Sequence, residues 1–232
     1  MDQRRSEQFA AALAGTAEGE PFSLATVCRA IMTLLHISGA AIVLMSDRST
    51  QGVASATDEL TRAVQNLEFM LGEGPGIDAF SQIEAVGVDD LVSATSRWSM
   101  FAPAVANLGV GSIYSLPLRS GGGAMGILTL WSDRPGALDE AQKQDALLVA
   151  EKAAQVVLTM QDEATSESLA WPLDLSDHRM VVHQATGMIS AQLNCAVGEA
   201  LVRLRAYAYG TGLPIDGVAE EVIQRRLRFD ER

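Results

Sequence analysis

HQATGMISAQLNCAVGEALVRLRAYAYGTGLPIDGVAEEVI, residues 183–223, is the stretch whose reading decides the fold. Its apolar residues recur at helical spacing three times over. His178, Val182, Ala185, Ile189 and Gln192 share one face, and Asn194 ends that helix. Val197, Ala200, Leu201, Leu204 and Ala208 form a second stripe, stopped by Gly210 and Gly212. Pro214 opens a third helix, with Ile215, Val218, Ala219 and Val222 inward. A proline is tolerated there because a first-turn N–H has no helical partner to lose. Three short helices so rich in alanine pack closely but bury little. A module of this size is marginal alone and should draw stability from the helix before it or from a partner.

Working outward, EATSESLAWPLD (163–174) is polar and marks a boundary, with a linker over 164–173. Before it lies a larger domain, 21–163, and before that a weakly helical extension, 1–20. The module itself occupies 174–232. Within the larger domain, Leu24, Val27, Cys28, Ile31 and Leu35 make a helical stripe that starts at Pro21 and is closed by Gly39. AAIVLMS (40–46) reads as a buried strand, paired through a turn at Asp47–Thr50 with a second strand near 51–56. Thr57 and Asp58 cap a helix over 58–70. GEGPG (72–76) reads as a loop, IEAVGV (83–88) as a strand and 97–108 as a helix. SIYSLPLR (112–119) and AMGILTLWS (124–132) flank the glycines of a hairpin turn. A long helix follows over 139–163, its acidic start suited to the positive end of the helix dipole. It is apolar along two lines: Ala146, Val149, Ala153, Val157 and Met160, then Leu147, Ala150, Ala154 and Leu158. One line covers its own domain. The other fits burial in that domain or a helix of a second subunit.

The net charge is −12, which taken alone argues against a phosphate-rich partner. Its distribution matters more. Residues 171–232 hold seven basic residues, all arginines, against eight acidic ones, so the excess negative charge sits in the larger domain. Arginine is the cation whose planar fork suits phosphates and bases. No run of 18 uncharged apolar residues and no secretory leader is visible, so no membrane association and a cytoplasmic location are expected. Cys28 and Cys195 lie far apart and outside any C-x-x-C pair, which points to two buried free thiols. His36, at the end of an apolar helix, reads as an ordinary histidine rather than a haem ligand. The glycines 121–123 lack the spacing of a phosphate loop. No catalytic constellation stands out; an enzyme, a cofactor and a metal site are not expected.

The C-terminal stretch resembles the ANTAR domain, an RNA-binding antitermination module. The matching positions are Ala185 and Gly187 on the first helix, Ala200, Leu204, Arg205 and Ala208 on the second, and Val218 and Ala219 on the third. Thr186 departs from the pattern, where many members carry lysine. LGEGPGIDAF (71–80) and RWSMFAPAVANLGVGSIYSLPLRSGGGAMGILTLWSDRPGALDEAQ (97–142) resemble GAF domains of the kind attached to this module in actinobacteria. Gly76 stands where that subgroup has a cysteine, which removes any thiol role there. The resemblance implies an α+β domain, an antiparallel sheet flanked by helices, followed by an all-α three-helix module. It further implies binding of RNA hairpins, in pairs, in nascent transcripts by a homodimer, with an unknown small-molecule signal or a dimerising role for the GAF-like domain. The expected RNA contacts are Arg179, Gln184, Ala185, Thr186, Gly187, Arg203, Arg205 and Tyr207. Arg205 flanks the apolar stripe and is expected to reach solvent while its stem packs. Burial of Arg205 against the larger domain would imply an autoinhibited state.

Two readings from other classes compete. The three helices could bind a partner protein, with RNA irrelevant, and the acidic total charge and Thr186 favour this. The larger domain could be a thiol-based reductase, against which the unclustered cysteines count.

Overall fold

A computed structural model describes residues 23–45, 51–163 and 177–229. The expected extension 1–20, the turn Asp47–Thr50 and the linker 164–173 lie outside the described residues.

Helix α1 spans Leu24–Leu35. Its cap is Ser23: the hydroxyl accepts from the Thr26 N–H, and Thr26 Oγ1 accepts in return from the Ser23 N–H. His36 closes it in the left-handed region (φ 55°), and Gly39 opens the next strand rather than ending the helix. Strands β1 (Gly39–Met45), β2 (Gln51–Ala56), β3 (Val86–Val88), β4 (Ser112–Ser120) and β5 (Gly123–Ser132) form one antiparallel sheet in the order β2-β1-β5-β4-β3.

Both faces of the sheet are covered. Ile42, Leu116, Leu118, Leu128 and Leu130 pack with α1 and with α5, Glu140–Glu163. Val43, Ile113, Ile127 and Trp131 face α2 (Glu59–Leu71), α3 (Pro75–Gln82), a 3-10 turn at Leu91–Ser96 and α4 (Phe101–Ala106). Burial on both sides explains why the strands read as apolar runs without alternation.

GEGPG is not all loop: α3 begins at Pro75, where the missing N–H costs nothing, and the Gly76 N–H reaches the buried Glu68 carboxylate at 2.6 Å. The strand expected over 83–88 shrinks to β3, because Ile83 caps α3 in the left-handed region (φ 56°). The helix expected over 97–108 starts only at Phe101. There Glu73 Oε1 accepts from the Met100 and Phe101 N–H groups at 2.6 and 2.9 Å.

The cap of α5 is reciprocal. Asp139 accepts from the Gln142 N–H at 2.7 Å, and Gln142 Oε1 accepts from the Asp139 N–H at 2.9 Å. Of its two apolar lines, Ala150 and Ala154 are buried in the same domain, whereas Leu147 and Leu158 remain exposed.

The last helices are α6 (Asp177–Leu193), α7 (Val197–Thr211) and α8 (Ile215–Ile223). Val182, Ile189, Leu201, Leu204, Val218 and Val222 centre their core. Gln192 and Val197 are exposed rather than inward. The amide of Gln192 accepts from the Phe229 N–H at 2.9 Å, and Val197 stands at the very start of α7. One further member of this core comes from elsewhere. Phe69 of α2, fully buried, packs into the three-helix cluster. Burial of such a ring contributes about 1.5–3 kcal/mol. The ring that reinforces the small module thus belongs to α2, not to the long helix.

Candidate nucleic-acid interface

On α6 the expected contact residues divide by helical phase. Gln184 and Gly187 are exposed. Ala185 and Thr186 wind onto the inward side with Val182 and Ile189, and are 0% and 1% exposed. The Thr186 hydroxyl donates to the Val182 carbonyl at 2.6 Å, so its hydrogen-bonding capacity is used inside the helix. Against the expectation of an exposed contact pair, Ala185 and Thr186 are packing residues of the module core in this structure. Arg179 lies in the first turn of α6, and its side chain is outside the described residues.

On α7, Arg203 and Tyr207 point outward. Arg203 pairs with Glu199 one turn before it at 2.7 Å, both half exposed. Such a pair is worth only a few tenths of a kcal/mol, so a phosphate can displace the glutamate at small cost. The Tyr207 ring meets Phe229 edge-on at 5.5 Å while staying partly exposed. Tyr209, absent from the expected set, is 71% exposed, but it sits about 200° around α7 from Tyr207, on the flank that also carries the exposed Val202. Its signal in the sequence was an aromatic placed off the inward stripe of Leu201, Leu204 and Ala208.

Arg205 is different. At about 100° per residue it is turned some 200° from Arg203 and from Tyr207, toward the opposite side of α7. Its guanidinium is largely, not wholly, withdrawn from solvent. Nη2 donates to the Phe69 carbonyl, Cζ lies 5.6 Å from the centroid of the Phe69 ring, and Nε has no hydrogen-bond partner. Burial pushes its pKa down to about 10, which still leaves it cationic at neutral pH. His183 of α6 meets the same phenyl ring at 5.3 Å, tilted by 45°. Gly72 caps α2 in the left-handed region (φ 70°), and a Cβ there would lie 2.6 Å from Arg205 Nη1. The last turn of α2 thus covers the arginine expected to be free.

The arginines after α8 are exposed, and Arg226 is bonded to Glu221 at 2.6 Å, which holds that carboxyl below its usual range. Cys28 is buried and its thiol is pushed up to about 12 by desolvation, whereas Cys195 is only partly buried, against the expectation of two buried thiols. Among the described residues no three His, Cys, Asp or Glu side chains assemble into a metal-donor group.

Residues 24–157 match the family model of the GAF domain, and residues 176–223 that of the ANTAR domain. No curated protein matches the chain at a significant level. Among solved structures, the chain is similar to the GAF domain of an Acinetobacter phosphoenolpyruvate-protein phosphotransferase. The identity is 14% and the TM-score 0.55, over 72% of this chain and 99% of that one. It is also similar to the GAF domain of a phosphoenolpyruvate-protein phosphotransferase from Coxiella burnetii. There the identity is 12% and the TM-score 0.51, over 68% and 95% of the two chains. At these identities the likeness concerns the fold alone.

Proposed function

From the premise that this chain belongs to the GAF domain family and carries an ANTAR domain over residues 176–223, we propose that it is an RNA-binding transcription antiterminator. ANTAR domains are RNA-binding antiterminator modules, and GAF domains are signalling domains; both are regulatory rather than catalytic. In this reading the three-helix module binds hairpin RNA in a nascent transcript and keeps a terminator from forming. The GAF domain receives an unidentified small-molecule signal or drives dimerisation. The work is cytoplasmic, and no described helix is long and apolar enough to cross a membrane.

The observation that carries this reading is the outward face of α7. It sets one displaceable guanidinium, Arg203, one turn from a partly exposed phenol ring, Tyr207. Gln184 and Gly187 of α6 add an exposed amide and a position with no Cβ. Guanidinium groups pair phosphates, and aromatic rings stack on unpaired bases. A homodimer presenting one module to each of two hairpins is supported by Leu147 and Leu158. They lie three turns apart on α5 and are exposed although apolar. The exposed Val202 on α7 and Leu213 just beyond its end favour a second reading, a protein-interaction module that ignores RNA.

Fluorescence anisotropy with a labelled paired-hairpin RNA separates the two. RNA binding should weaken steeply as salt rises, because phosphate contacts release counterions. Arg203→Ala should lower the salt slope by about one unit, and Tyr207→Ala should cost about 1–3 kcal/mol of binding. Binding that ignores both salt and these substitutions contradicts the proposal.

A further inference from the structure

We propose that Arg205 and His183 form a slot for one unpaired RNA base, and that the Phe69 ring of α2 occupies this slot in the closed form of the protein. This inference rests on the RNA-binding reading above and names both a subsite of that interface and its regulation.

The chemistry of the slot is that of a base-binding site. A guanidinium and an imidazole both lie against a single flat ring. These are two of the groups on which splayed bases stack. Arg205 Nη2 also donates to a carbonyl oxygen, that of Phe69, and the carbonyl oxygens on base edges are acceptors for the same donor.

Arg205 is poorly served by its present surroundings. It is largely buried, its Nε has no acceptor, and among the described residues its guanidinium has no carboxylate partner. A buried arginine that serves only as a strut is normally paired, because an unpaired buried cation is costly. α2 supplies a ring and one backbone carbonyl. An RNA loop would supply a ring, further acceptors and a negative charge.

The seam beside the ring is incompletely packed. A cleft of about 250 Å³ runs beside Phe69 between α2 and the module, lined by Ala63, Leu67, Met70 and Val182. Closely packed interiors lack voids of that size, so the seam is not sealed on this side. Gly72, where any side chain would press on the guanidinium, lets the end of α2 approach this closely.

Position on the helix gives the device its logic. Arg205 lies on the opposite side of α7 from Arg203 and Tyr207. RNA can grip the outer face with α2 in place, but it fills the slot only after Phe69 leaves. A signal in the GAF domain that shifts α2 would therefore set RNA affinity, since affinity scales with the fraction of open protein.

The test is a titration of the full chain with a paired-hairpin RNA carrying 2-aminopurine in its loop, using wild type, Phe69→Ala and the double variant Phe69→Ala/Arg205→Ala. Phe69→Ala should bind at least about tenfold tighter than wild type, with deeper quenching of the loop fluorophore. Adding Arg205→Ala should erase both gains. Saturable binding of equal strength by wild type and Phe69→Ala overturns the slot and leaves the RNA reading standing. Failure of both to bind overturns the RNA reading itself. Hydrogen exchange in wild type guards against an unfolded variant. Saturating RNA should speed exchange of the 66–72 backbone as the ring leaves, and slowed or unchanged exchange there overturns the proposal.

Discussion

Thr186 stands where a lysine would offer a phosphate contact, and its hydroxyl is instead spent on the Val182 carbonyl inside α6. Thr186→Val keeps the shape and removes the hydroxyl. It should change melting stability by no more than about 1 kcal/mol and leave hairpin-RNA affinity unchanged, as measured by calorimetry and anisotropy. A large loss of affinity would return this residue to the interface. The exposure of Gln184, Gly187, Arg203 and Tyr207 follows from their phase relative to the apolar stripes, which any helical reading provides. The burial of Arg205 does not. Its partner Phe69 lies 136 positions away in the chain, and no local periodicity reports such a contact. The same stripe that places Leu204 inward puts Arg205 at its margin, where only the tertiary neighbour decides between solvent and burial.

Helix starts separate what is legible from what is not. Asp139 caps α5 from within four residues, and that start is visible in the sequence. The start of α4 is fixed by the Glu73 carboxylate 27 positions earlier, which local patterns cannot show. α3 is hidden for another reason: its first residues are Pro75 and Gly76, the composition of a loop. Close approach demands the glycine. A Cβ at position 76 would run into Ile127 Cδ1 and lie 2.5 Å from Glu68 Oε2. Gly76→Cys, which restores the residue of the resembling subgroup, should therefore destabilise the domain by about 1–3 kcal/mol in a denaturant melt. A companion Ile127→Ala that frees the space should recover part of this loss relative to Ile127→Ala alone. An unchanged midpoint for Gly76→Cys would mean that α3 sits farther from β5 than described.

At the scale of the whole molecule, the two halves are joined by more than their linker. Phe69 completes the core of the ANTAR module, so the GAF domain both supports that module and covers one of its faces. The division into an α+β domain and three helices was legible because periodicity changes at the polar boundary near 163–174. The docking of one half on the other was not, because α2 shows an ordinary amphipathic pattern and Phe69 counts as one more apolar residue within it. Charge follows the same division: the acidic excess belongs to the domain that need not meet RNA. The central claim is that hairpin binding by this module prevents termination. Single-round transcription through a template whose paired hairpins overlap a terminator tests it most directly. Added protein, most strongly as Phe69→Ala, should raise the read-through fraction in step with RNA occupancy. A terminated fraction that stays constant while the RNA is saturated with protein would contradict it.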